Sequence, residues 1–162
     1  MKTLVLVRHA KSSWSQPALQ DRDRPLNRRG KRDAPKMGKR LAKEGVKPDL
    51  VLSSPARRAL ATARLIAKKV GYKRKDIRVH EGLYAVDPAA LLEAIRKVGA
   101  KHKRVMLVGH NPELAELAHR LSPEIVAMPT CAVALMRFEA KSWAQVGKAR
   151  PEKTAFFRPR RA

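Results

Sequence analysis

The chain has 162 residues, of which 44% are hydrophobic, and this combination suits one compact domain with its own core. Lysine and arginine total 37 against 14 acidic residues, a formal net charge of +23, so the surface attracts anions. No apolar run is long enough for a signal-peptide core or a membrane span, and the lone Cys131 excludes an intramolecular disulfide and a cysteine zinc site. We therefore expect a cytoplasmic, single-domain protein.

Strands and helices are predicted to alternate along the chain. Short apolar runs predict strands at residues 4–7, 49–53, 77–80, 105–108 and 132–138, with a further edge pairing at 144–146. Apolar residues at helical spacing, with glycine or proline near the ends, predict helices at about 27–44, 56–70, 88–98 and 112–121. The alternation predicts a three-layer α/β/α sandwich with a mostly parallel central sheet.

The last part of the chain, residues 147–162, is strongly basic. It contains Arg158, Arg160 and Arg161 and has no clear apolar periodicity. We expect this stretch to form a surface tail on the single domain 1–162.

Charged and polar side chains follow three of the predicted strands. They lie in the segments Arg8-His9-Ala10, Ser53-Ser54-Pro55 with Arg57-Arg58, and Gly109-His110-Asn111-Pro112. Ligands of open α/β sheets bind beyond the carboxyl ends of the strands. Two histidines and two or three arginines are therefore expected around one crevice, which predicts a site for a phosphoryl group.

These segments resemble the motifs of a known family. Leu6-Val7-Arg8-His9-Ala10 is similar to the Arg-His-Gly signature of the histidine phosphatase superfamily, whose fold is that of phosphoglycerate mutase. The run from Ser54 to Thr62 resembles its Ser-Pro-x-x-Arg-Ala-x-x-Thr segment, and Gly109-His110-Asn111-Pro112 resembles the segment with its second histidine. Asp23-Arg24-Pro25-Leu26 followed by Gly30 is similar to the SixA-like phosphohistidine phosphatases. Ala10 departs from the usual glycine, and this costs little where φ is negative.

The resemblance and the chemistry together assign roles to four residues. His9 is the expected nucleophile, because neutral imidazole attacks phosphorus well near neutral pH. Arg8 and Arg58 are the expected guanidinium clamp, and the family spacing selects Arg58 over Arg57. His110 is expected to donate a hydrogen bond to the phosphoryl oxygens.

Other residues receive weaker assignments. Glu81 is the candidate general acid and base, although an exposed loop glutamate is an equally simple interpretation, and Asp87 and Asp23 are alternatives. Ser12 could donate to a phosphate oxygen. Arg24 is expected either at the pocket rim or paired with Asp21 or Asp23.

The expected activity is that of a metal-independent phosphatase without a cofactor. A SixA-like enzyme would remove phosphate from a phosphohistidine protein. The same chemistry on a small polyanion, such as a nucleotide, short polyphosphate or sugar phosphate, is the first alternative. A non-catalytic basic module that binds nucleic acid or membrane ranks below both, since only 4% of the residues are aromatic and no nucleic-acid motif occurs.

Overall fold

A computed structural model describes residues 1–160 and shows a single six-stranded sheet. Its strands are β1 (Lys2–Arg8), β2 (Leu50–Ser53), β3 (Arg78–Val79), β4 (Arg104–Gly109), β5 (Val133–Phe138) and β6 (Lys153–Phe157). They lie in the order β3-β2-β4-β1-β5-β6. Strands β3, β2, β4 and β1 are parallel, whereas β5 is antiparallel to both of its neighbours. The predicted α/β sandwich with a mostly parallel sheet is confirmed.

Four α-helices connect these strands, close to their predicted positions. They are α1 (Arg28–Lys43), α2 (Arg57–Val70), α3 (Pro88–Arg96) and α4 (Glu113–Leu121). The Asn27 side chain accepts a hydrogen bond from the Gly30 amide and so caps α1, while Gly71 ends α2 in the left-handed conformation. No helix within residues 1–160 has both the length and the apolar character needed to cross a membrane.

Side-chain alternation along the strands divides the core into two layers. Leu4 and Leu6 of β1 pack with α3 and α4 on one face of the sheet. Val5 and Val7 of the same strand pack with α1 and α2 on the other face. Because both faces are covered, the middle of β1 and of β4 is continuously apolar, and polar residues lie only at the strand ends.

The C-terminal part of the chain differs from the sequence-based expectation. Residues 144–146 form no edge strand, because Trp143–Gln145 is a short 3₁₀ helix whose tryptophan is buried in the core. Residues 153–157 of the expected tail instead form β6, which pairs with β5 and buries Phe157. The basic composition of residues 147–162 indicated a tail, because this strand depends on pairing with β5, which local sequence does not show. Arg161 lies outside the described residues.

The start of α1 is packed directly against the loop that follows β1. The Asn27 amide donates to the carbonyl of Lys11, and a Cβ atom at Gly30 would collide with the same carbonyl oxygen. The missing side chain of Gly30 thus allows residues 10–12 to lie against the helix.

We expect Gly30→Ala to lower the free energy of unfolding by about 1–3 kcal/mol, because backbone must shift to admit the methyl group. Urea unfolding of the purified protein measures the change. Gly99→Ala is the control, since a Cβ there meets no atom within 4 Å. Equal stability of the two variants would contradict this account of Gly30.

Candidate active site

The two histidines predicted to act together lie side by side. Register pairing sets Arg8 of β1 opposite Gly109 of β4, so that the next residue of each strand is a histidine. The ring centroids of His9 and His110 are 5.2 Å apart, and the residues are only 7% and 6% exposed. The His9 amide donates to the Gly109 carbonyl, which fixes the two strand ends relative to each other.

Hydrogen bonding determines which nitrogen of His9 is available for reaction. Nδ1 lies 2.7 Å from the carbonyl oxygen of Ala10, and a carbonyl can only accept, so Nδ1 carries the proton. Nε2 therefore holds the lone pair. Within residues 1–160 no donor bonds to Nε2, which leaves it free to attack an electrophile.

His110 is oriented in the complementary way. Its Nε2 lies 2.7 Å from the hydroxyl oxygen of Ser54, and that oxygen also accepts a bond from the Ala56 amide. Among residues 1–160 the Ser54 hydroxyl has no other acceptor, so we assign its proton to the bond with Nε2, which leaves the proton of neutral His110 on Nδ1. One histidine thus presents a lone pair, and the other presents a donor.

Two arginines complete the cluster. Arg58 is 5% exposed, whereas Arg57 faces solvent, as the family spacing predicts. Arg8 donates from Nη1 to the carbonyl of Met128. Burial lowers the pKa values of Arg8, His9 and His110, and the positive charge of Arg58 lowers each of them further.

Several buried donors in this cluster have no partner. Within residues 1–160 these are Nε of Arg8, Nε of Arg58 and Nδ1 of His110. A buried donor without an acceptor is costly, so unsatisfied groups concentrated in one place require an explanation. A tetrahedral oxyanion supplies acceptors on several sides and would satisfy these donors together.

Asp21 is a central residue of the site that the sequence analysis named only as a partner for Arg24. Its Oδ2 accepts bonds from Arg58 Nη2 at 2.9 Å and from the Tyr84 hydroxyl at 2.7 Å, and its Oδ1 accepts from Arg24. Partial burial raises the pKa of Asp21, but hydrogen bonds from Tyr84 and Arg58 outweigh it and lower the pKa to about 2. Asp21 therefore stays ionised and holds one edge of the Arg58 guanidinium.

Tyr84 was also missed by the sequence analysis. Its ring lies edge-on to His110, with centroids 5.5 Å apart, while its hydroxyl reaches Asp21. The only sequence signals were an acidic residue in a very basic chain and an aromatic residue in a polar loop, and neither is specific.

Thr62 connects the nucleophile loop to helix α2. Its hydroxyl oxygen accepts a bond from the Ala10 amide at 2.9 Å and donates to the Arg58 carbonyl at 2.8 Å. Ala10 is fully buried and is not among the residues with positive φ, so alanine is tolerated there as expected. The serine-to-threonine motif on α2 thus positions the backbone beside His9.

Ser12 and Arg24 lie together at the edge of the site. Arg24 Nη1 donates to the Ser12 hydroxyl at 2.7 Å, and its guanidinium stacks on the exposed Trp14 ring at 3.5 Å from the centroid. Of the alternatives for Arg24, the structure shows pairing with Asp21. Direct contact of Ser12 or Arg24 with substrate remains a prediction.

The structure does not place the candidate acid among these groups. The Glu81 side chain is 75% exposed and bonds to Arg22 at 3.2 Å. Asp87 accepts the Ala90 amide as the N-cap of α3, and Asp23 is exposed. A catalytic role for Glu81 stays a prediction.

Both histidines are held in the neutral form. Burial is the largest influence and lowers the pKa of His9 to about 3, an effect increased by the charge of Arg58. Burial and then Arg58 likewise lower the pKa of His110 to about 4. Burial also raises the pKa of the Cys131 thiol to about 12, which keeps this thiol protonated.

These shifts predict a pH dependence of stability. Below pH 6.5 the imidazoles of the unfolded chain take up protons, while those of folded His9 and His110 remain neutral, so the free energy of unfolding falls as the pH drops towards 4. The variant His9→Gln/His110→Gln should lose less stability over this range. Chemical denaturation at several pH values measures the difference, and NMR titration of either imidazole with a midpoint near 6.5 would contradict it.

We also expect Thr62→Val to destabilise the fold by about 1–3 kcal/mol, because the buried Ala10 amide loses its acceptor. The same change should slow turnover by displacing His9. Thr3→Val on β1 is the matched control, since Thr3 is the corresponding residue type at the far end of the strand. The comparison requires urea unfolding and initial rates for both variants, and equal effects would refute the role of Thr62.

Comparison with known proteins agrees with this geometry. Residues 4–91 match the model of the histidine phosphatase superfamily (branch 1). An uncharacterised chloroplastic protein of Arabidopsis thaliana is 32% identical over 152 residues, covering 88% of this chain and 69% of the relative. The SixA protein of Agrobacterium tumefaciens superposes with a TM-score of 0.82 at 26% identity, covering 98% of both chains. The protein histidine phosphatase SixA complexed with tungstate gives a TM-score of 0.77 at 21% identity over 96% of this chain and 94% of that one. The chain belongs to the histidine phosphatase superfamily.

Proposed function

We propose that this protein is a phosphohistidine phosphatase that carries the phosphoryl group on Nε2 of His9 during turnover. The observation that supports the proposal best is the contact between His9 and His110, around which several buried donors lack an acceptor. The nucleophilic lone pair and the donors for an oxyanion thus occupy one site. Structural similarity to SixA proteins supports the choice of substrate.

In the first step, His9 Nε2 attacks phosphorus in line with the leaving nitrogen of the substrate. The new N–P bond forms as the substrate N–P bond breaks, and the electron pair leaves with the substrate imidazole. Arg8 and Arg58 neutralise charge on the equatorial oxygens, and His110 Nδ1 donates to one of them. In the second step, water attacks the phosphohistidine and releases inorganic phosphate and neutral His9.

An imidazole leaving group would allow the proposed reaction to proceed although Glu81 is exposed. An alkoxide leaving group needs a proton from a positioned acid, whereas an imidazole leaves readily once it is protonated by solvent. The Glu81 carboxylate is directed to Arg22, so it is poorly placed to supply that proton. A phosphohistidine substrate therefore suits this site better than an alkyl phosphate.

A small polyanion is the second candidate substrate. The observation in its favour is the formal charge of +23, which concentrates multiply charged ligands near the surface. Rates with tripolyphosphate and with a phosphohistidine peptide, measured side by side at several salt concentrations, separate the two candidates.

We expect His9→Ala to lower the rate of phosphohistidine hydrolysis by about 10³-fold or more, because the nucleophile is lost. The wild-type protein, quenched during turnover, should carry acid-labile phosphate on a peptide that contains His9. His119→Ala is the control, since His119 lies on α4, bonds to the Ile125 carbonyl and takes no part in the cluster. Full activity of His9→Ala would refute the mechanism.

A further inference from the structure

A second concavity adjoins the cluster and contains a high density of positive charge. This basic cavity has a volume of about 970 Å³ and is lined by six cationic side chains, those of Arg8, Lys11, Arg29, Arg40, Arg158 and Arg160. None of the described residues that line it is acidic. A concentration of like charge without counter-charge is unfavourable unless an anion binds there.

Helix α1 and the chain that follows β6 build this cavity together. Arg40 on α1 donates to the Arg158 carbonyl at 3.2 Å and lies over the Phe157 ring, which keeps the C-terminal segment beside the helix. Arg29 pairs with Asp33 at 3.5 Å. Lys11, Arg158 and Arg160 form no ion pair within residues 1–160, and Arg40 Nε is buried without a partner. The cavity therefore offers free donors.

The basic cavity and the reaction site share one residue, Arg8. Arg8 is the last residue of β1, immediately before His9, and it also contributes to the wall of the cavity. A ligand with its phosphoryl group at His9 can therefore extend into the cavity. An anionic group on that part of the ligand would match the positive charge of the cavity.

We propose that the basic cavity binds acidic side chains that flank the phosphohistidine in a protein substrate. The proposal rests on the proposed phosphohistidine phosphatase activity and names the class of partner, an acidic polypeptide. Guanidinium groups pair with carboxylates in a bidentate manner, and arginines on two separate elements, α1 and the segment after β6, suit several carboxylates spaced along a chain.

A further feature of the rim favours a polypeptide over a small polyanion. Trp14 is 71% exposed and is held by stacking on Arg24, whose side chain also bonds to Asp21 beside Arg58. Exposed tryptophan backed by arginine is typical of protein interfaces. A small polyanion would leave the Trp14 ring exposed, whereas a protein that docks over the site would bury it.

The test uses two histidine-phosphorylated peptides that differ only in their flanking residues, glutamate in one and glutamine in the other. We expect the wild-type protein to have about tenfold higher kcat/KM for the acidic peptide, which corresponds to one or two charge-assisted hydrogen bonds. Arg158→Gln/Arg160→Gln should remove this preference. The matched control Arg74→Gln/Lys75→Gln removes the same charge from an exposed 3₁₀ helix that precedes β3 and should keep it.

Binding provides a measurement that does not require turnover. Calorimetric titration of the acidic peptide into His9→Ala protein, with and without the arginine changes, should show weaker binding only when Arg158 and Arg160 are replaced. Absence of hydrolysis of both peptides would refute the proposed function, while the titration would still test the cavity. The inference would be overturned if the cavity variant, Arg158→Gln/Arg160→Gln, and its control had the same ratio of kcat/KM values for the two peptides. A selective loss of tripolyphosphate hydrolysis in the cavity variant would also overturn it and assign the cavity to a small polyanion.

Discussion

The pairing of β1 with β4 is the constraint on which the site depends. These strands are parallel and in register, so Arg8 lies opposite Gly109 and the following histidines meet. Strand β2 pairs with β4 on its other side and places Ser54 next to His110, where the serine amide donates to the Val108 carbonyl. A shift of one residue in either pairing would turn the side chains to the opposite face of the sheet. The reacting groups are therefore positioned by backbone hydrogen bonds in the rigid centre of the fold.

Burial of these groups determines their chemistry. Water is largely excluded from His9 and His110, which keeps both imidazoles neutral in a strongly basic environment. The tautomers are fixed by the Ala10 carbonyl and the Ser54 hydroxyl. The donors left without partners lower the stability of the fold, and binding of an oxyanion, as proposed, would offset this cost. Asp21 limits this cost by holding the other edge of the Arg58 guanidinium.

The C-terminal strand adds a second element to this arrangement. Because β6 pairs with β5, the chain that follows it passes beside α1 and brings Arg158 and Arg160 near Arg29 and Arg40. Positive charge is then distributed around the approach to His9 as well as within the buried cluster. In the proposed mechanism Arg8 and Arg58 act on the phosphoryl group, and we propose that the exposed Arg158 and Arg160 contact acidic residues around it in the substrate. Reaction and recognition, as proposed, then occupy different parts of one charged surface.

The sequence alone predicted the elements through β5, the family and the candidate residues His9, Arg8, Arg58 and His110, because strand ends and motif spacing are local features. The family's motif spacing also selected Arg58 over Arg57, and the structure buries Arg58 and exposes Arg57. Only the tertiary structure showed Asp21, Tyr84 and the exposed position of Glu81, because these depend on how loops from distant parts of the chain pack together. The same applies to β6, whose basic sequence indicated a tail. Its pairing energy comes from β5, a partner that local sequence does not reveal.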